Sequence, residues 1–238
     1  MFVPIHDTNP LKRIPYQYVT VGLITLNCVI YVLFQSGLIF SLDERIVAFA
    51  LIPAEFWTDG VPLASRVVVP PGAPPVEERW TLVTYMFVHG SLLHLLGNML
   101  FLWVFGDNVE DAMGHFRFFL FFIMCGVFAG LAHTVVMQHS EVPVIGSSGS
   151  VAGIVAAYLM LHPKVKIWVL ALWRIPIKIS AAWVLGFWVL LQVGSALIDN
   201  SDGIAWWAHV GGLVAGAMLI LFMRRQGVPL FDKTAGGA

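Results

Sequence analysis

Charge is what this sequence lacks most. Asp, Glu, Lys and Arg together make up 11% of the 238 residues, where a soluble domain carries roughly 25%. With 58% of the chain hydrophobic, that scarcity excludes an ordinary soluble domain and identifies a polytopic membrane protein. Cysteine is nearly missing too. Cys28 and Cys125 each sit inside an apolar run, which excludes a disulfide framework and predicts two buried thiols. No carboxylate is expected inside a span and no half of the chain repeats the other, which argues against a transporter. No cleavable leader is expected, because residues 1–10 are polar and the first apolar run is long enough to remain a span. The net charge of -1 carries no information about charged partners.

The runs that are present predict an all-α membrane protein of six transmembrane helices, with a short fourth helix and a long first loop. Residues 1–14 are expected as a short cytoplasmic tail, 15–224 as the membrane domain and 225–238 as a second short tail. Expected spans cover 19–34, 82–105, 116–137, 148–161, 179–198 and 204–223. Gly106, Asp107 and Asn108 read as a turn after the second span, and the loop over 41–80 is proline-rich at 69–75. With both termini inside, ten Lys and Arg residues fall on inner segments and Arg45, Arg66 and Arg79 on outer ones, which the positive-inside rule favours.

One run is too short. From Ser148 to Leu161 a helix reaches ~21 Å, against a hydrocarbon core of ~30 Å. Its first residue must therefore lie below the membrane surface, in a wet cavity lined by protein. Under the same topology the sixth span starts on the outer side, with His209 about five residues along it, at a comparable depth. His94 and Asn98, four residues apart, share one face of the second span.

Polar side chains in this setting are costly and point to function. A hydroxyl becomes a nucleophile when a neighbouring base takes its proton, and a neutral imidazole suits that task near pH 7. Ser148 and His209 are the candidate pair. The Ser148 backbone N–H, His94 and the Asn98 amide are candidate donors to an oxyanion. No third-member carboxylate is evident, since Asp199 and Asp202 belong to a loop. Gly149, Gly153 and Ala157, and in the sixth span Ala208, Gly212 and Gly216, recur every four residues and would let two backbones approach closely. His133 reads as helix-to-helix glue, and Asn27, Gln192 and Ser195 as structural; His89 is ambiguous.

Three motifs together resemble the rhomboid family of intramembrane serine proteases, over about residues 80–216. They are Gly146-Ser147-Ser148-Gly149, Ala208-His209-Val210-Gly211-Gly212, and the run from His89 through His94 to Asn98. The resemblance implies a six-helix rhomboid-like bundle open toward the outer face, with Ser148 as nucleophile, His209 as general base and acid, and His94 and Asn98 serving the oxyanion. It implies a lateral route for a substrate helix beside the fifth span and a capping loop near 198–205. Glu110 resembles an acid that ties down the first loop. Membrane-protein substrates and the bilayer are the implied partners, nucleic acid is not among them, and no metal or cofactor is expected. The implied site of action is the cell membrane. Two positions differ from the family pattern: Thr81 follows Trp80, with Arg79 on the other side, and Ala152 stands where some members carry an aromatic against the catalytic histidine. His209 must then be oriented by other packing. The rival readings are a non-enzymatic binder of client helices, which would not need both Ser148 and His209, and a transporter or channel.

Overall fold

Helix lengths set the architecture of the computed structural model, which describes residues 2–37, 46–57, 77–171, 174–198 and 203–232. The proline-rich stretch 69–75, Arg45, Arg66, Asp199, Asp202, Lys233 and half of the expected capping loop, residues 199–202, lie outside the described residues. Helix α1 (Tyr18–Ile30) continues through a π-turn over Tyr31–Gln35. Two short helices follow, α2 (Pro53–Phe56) and α3 (Glu78–Thr84). Then come α4 (Leu92–Met113), α5 (His115–Val136), α6 (Ser148–Leu161), α7 (Ala181–Ile198) and α8 (Trp206–Met223). Five of these segments are long and apolar enough to cross a membrane, and α6, of 14 residues, is not. Leu93, Phe116, Trp183, Leu190 and Phe222 point outward from the bundle, as lipid-facing side chains do.

The second span differs from its expected 82–105. Ser91 caps α4, its hydroxyl accepting the His94 N–H at 3.1 Å, and the helix runs on through Gly106, Asp107 and Asn108 to Gly114, whose φ of +85° ends it. The turn signal is overridden because Asn108 has a tertiary partner: its Nδ2 donates to the Asn9 carbonyl at 3.3 Å and its Oδ1 accepts from Asn9 Nδ2. Carboxylates therefore do occur within a span, all at one end. Glu110, fully buried, accepts the backbone N–H groups of Val19 at 3.0 Å and Thr20 at 2.8 Å, and lies 2.5 Å from His115 Nδ1. An acid at the start of a helix satisfies its orphan donors and its dipole. Among the described residues, Glu110 thus anchors α1. The first loop is tied elsewhere, by paired Leu51 and Val144 backbones and by Trp57 Nε1 donating to the Thr134 carbonyl at 2.9 Å. Arg79 pairs with Glu77 at 3.2 Å, both exposed, a contact that anchors little.

The bundle also carries a sheet that the helical reading did not include. β1 (Phe2–Asp7), β2 (Lys166–Ala171) and β3 (Ile175–Ser180) pair antiparallel in that order. Residues expected as a tail thus supply an edge strand. Ile167 and Val169 are fully buried while Lys166 between chain turns is exposed, a period of two hidden in a basic stretch. Asp7, at the end of β1, accepts from the Tyr158 hydroxyl at 2.5 Å and so joins the sheet to α6. Of the two thiols, Cys125 is buried and Cys28 only partly so.

These contacts gather one end of the bundle. The last turns of α4 and α6, the first turn of α1 and the segment after α8 meet there, Arg225 N–H donating to the Ala112 carbonyl and Asp232 N–H to that of Leu161. Aligned at this end with α4, which is ~33 Å long, α6 of ~21 Å stops short at the other. Ser148 is left recessed among longer helices.

Candidate active site

The recess is built from the loop that enters α6. Gly146 has a φ of +105°, and a Cβ there would stand 2.6 Å from His94 Nε2 and 3.6 Å from Asn98 Nδ2. Glycine is needed for both reasons: the left-handed backbone and the imidazole lying over it. The Gly146 N–H donates to the Tyr85 carbonyl at 2.9 Å. Ser147 is fully buried, its Oγ 3.4 Å from His89 Nε2. His89 is held in turn by its N–H donating to Gln35 Oε1 at 2.7 Å, so the end of α1 fixes the turn that leads into α4.

Helix α6 sits against α5 on one side and α8 on the other. A Cβ on Gly149 would meet Ala129 Cβ at 2.5 Å, and one on Gly153 would meet Cys125 Sγ at 2.5 Å and the Gly212 carbonyl at 3.1 Å. In the other direction, a Cβ on Gly212 would run into the Gly149 carbonyl and one on Gly216 into that of Gly153. The expected small-residue rows are therefore the contact surface, with the two backbones touching through missing side chains. Without a hydrophobic drive between helices in lipid, such close approach is what holds them together.

At the recessed end of this seam, Ser148 Oγ is 2.8 Å from His209 Nε2, a normal hydrogen-bond length. On its other side, His209 Nδ1 is 2.7 Å from Gln192 Oε1 on α7, and its ring meets Trp206 edge to face at 5.7 Å. Among the described residues no carboxylate hydrogen-bonds His209. His94 and Asn98 come to the same site from α4. Asn98 is buried and one of its amide protons goes to the His94 carbonyl at 3.2 Å, which leaves a second donor on that nitrogen. His133 is buried on α5, its Nδ1 without a hydrogen-bond partner among the described residues. It faces a cavity of about 100 Å³ that Ala205 also lines, and the Ala205 carbonyl takes the His209 N–H at 3.3 Å. The arrangement can deprotonate a hydroxyl and offers donors beside it.

Gln192 is the contact that the sequence did not reveal. It lies seventeen residues before His209 on another helix, in a run that is otherwise apolar but for Ser195. The available signal was general: an amide in a span needs a partner.

Comparison with known proteins gives the same direction. A Rhomboid domain model matches residues 76–226. RHOMBOID-like protein 6, mitochondrial, of Arabidopsis thaliana is 29% identical over 157 residues, covering 63% of this chain and 46% of that protein. The Rhomboid protease GluP of Bacillus subtilis is 31% identical over 139 residues, 58% of this chain and 25% of GluP. The Rhomboid protease GlpG of Yersinia pseudotuberculosis is 23% identical over 187 residues, 78% and 63% of the two chains. This chain spans about half the length or less of most of the curated relatives it matches.

Proposed function

Because the chain belongs to the rhomboid family, we propose that it is an intramembrane serine endopeptidase, cleaving transmembrane segments of other membrane proteins within or near the outer leaflet. The observation that carries this reading is the 2.8 Å approach of Ser148 Oγ to His209 Nε2 at the foot of a recess. His209 takes the Ser148 proton as Oγ attacks the scissile carbonyl. The tetrahedral oxyanion is met by the Ser148 backbone N–H, His94 and the second Asn98 amide proton. The imidazolium then gives its proton to the leaving amine, and the acyl-enzyme is hydrolysed by water that His209 activates in turn. Water reaches the buried ester from the outer face, the side on which Gly203, Ile204 and Ala205, just before α8, line a cavity of about 100 Å³. A substrate helix must unwind to present a peptide bond, so Gly, Ala or Pro near the outer end of its span favours cleavage.

The membrane domain that acts is 15–224, with β1 (Phe2–Asp7) and the segment after Met223 packed against one end of it. It is placed in the cell membrane with both termini cytoplasmic, as the distribution of Lys and Arg favours. The test is to co-reconstitute the purified chain with a single-span reporter and map the cut by mass spectrometry. Cleavage should vanish in Ser148→Ala and His209→Ala, and a fluorophosphonate should label Ser148 in the unaltered chain. Cleavage that persists in either variant removes the dyad from the mechanism.

A further inference from the structure

An imidazole that serves as base must be held in one tautomer and one rotamer, and apart from Ser148 itself α6 offers His209 no such support, since position 152 is alanine. The space is filled from α7 instead: Trp188 and Val189 pack against Ala152, Ala156 and Leu213. One turn further along the same helix, Gln192 reaches His209 Nδ1. The rest of α7 is largely lipid-facing, with Trp183, Phe187, Leu190 and Leu197 between 55% and 77% exposed, while Gln192 is 7% exposed. A buried amide on such a helix is costly unless bonded, and here its oxygen is directed at the ring. An amide oxygen only accepts, so the 2.7 Å contact requires the proton on Nδ1. A neutral imidazole has one ring proton, which leaves the Nε2 lone pair facing Ser148 Oγ. That is the tautomer a general base needs, and the wrong one removes its function.

Resting on the protease reading above, we propose that Gln192 is the positioning residue of the dyad: it holds His209 with Nδ1–H toward α7 and Nε2 toward Ser148, and keeps that hydrogen bond as the ring becomes cationic. The amide occupies the place an acid takes in a triad, without its charge. Since Gln192 belongs to α7, the base is set only while α7 lies against α6 and α8. Among the described residues, His94 on α4 and His133 on α5 are the titratable side chains that act on His209 from the neighbouring helices, and neither hydrogen-bonds Nδ1.

The test uses the full chain in liposomes, with the pH dependence of Ser148 labelling by a fluorophosphonate and of reporter cleavage as readouts. Gln192→Met keeps length and apolar packing but cannot accept a hydrogen bond. It should lower kcat and labelling rate ~10- to 100-fold, at or below the lower end of the ~10²–10⁴ that acid–base catalysis supplies, with KM within about two-fold and the melting temperature kept. Gln192→Glu keeps an acceptor and should be faster than Gln192→Met, with the acid limb of its rate profile moved to higher pH because a carboxylate favours the imidazolium. A Gln192→Met chain with the unaltered rate and pH profile overturns the proposal. So does a Gln192→Glu chain whose acid limb does not move, even if Gln192→Met fails to fold. Absence of labelling and cleavage in the unaltered chain would instead overturn the protease reading itself.

Discussion

Replacing Gly212 by alanine tests whether catalysis depends on two backbones in contact. The added methyl would occupy the space of the Gly149 carbonyl, one residue from Ser148 on α6 and three from His209 on α8. A carbon atom settles at ~3.5 Å from its neighbours, so relief requires the two helices to part by ~1 Å. Overpacking of this kind costs ~1–3 kcal/mol, which a multi-span bundle can absorb. The geometry cannot absorb it: adding ~1 Å to the 2.8 Å between Ser148 Oγ and His209 Nε2 takes the pair beyond hydrogen-bond range. Misplacement by ~1 Å costs ~10²-fold in rate. The assay is kcat on a reconstituted reporter, normalised to folded protein by thermal melting, with Ser148→Ala as the blank. Gly22→Ala on α1, where an added Cβ meets nothing within 4 Å, is the control and should be as active and at least as stable as the unaltered chain, since alanine is the better helix former. A folded Gly212→Ala chain with kcat within ~3-fold of the control would refute the argument that this seam sets the dyad.

Gly146→Ala should lower kcat by ~10²-fold with KM little changed, because its Cβ displaces the His94 imidazole and the backbone there has a φ of +105°; steady-state kinetics check this. Glu110→Ala should lower stability by ~2–4 kcal/mol, since it orphans the Val19 and Thr20 N–H groups. Hydrogen exchange should rise over the first turn of α1, with Ser148 labelling per folded molecule retained. Glu78, in the described part of the first loop, has its pKa raised from the ordinary 4.5 to about 7 by burial and then by the Glu55 charge. The folded state therefore holds a proton that the unfolded state releases between those values, and stability falls as pH rises from about 4.5 to about 7. Glu78→Gln should flatten that fall in melting temperatures measured across the interval, and an unchanged slope would assign it to another group.

The short run from Ser148 to Leu161 was readable because its length alone conflicts with the thickness of a bilayer. The small-residue rows were readable because their spacing of four is the spacing of a helix face. Elsewhere local signals were outweighed. Gly106, Asp107 and Asn108 look like a turn in one dimension, yet they continue α4 because Asn9, Thr20 and the start of α1 supply partners that only the folded chain brings near. Glu110 shows the same limit: its burial is decided by two N–H groups from a helix ninety residues earlier. β2 and β3 were missed because their alternation is brief and lies within a basic stretch that topology alone explains, and β1 because residues 1–14 read as a tail.

By itself, then, the sequence determined the solvent of this protein, the shortness of α6 and the family, and it singled out the hydroxyl and imidazole that meet at 2.8 Å, since each depends on composition, length or local spacing. Only the tertiary structure decided that Gln192 meets the far nitrogen of His209, that Glu110 holds α1 and that three short segments form a sheet. Those are pairings across long sequence separations, and no local pattern records which distant partner satisfies a polar group.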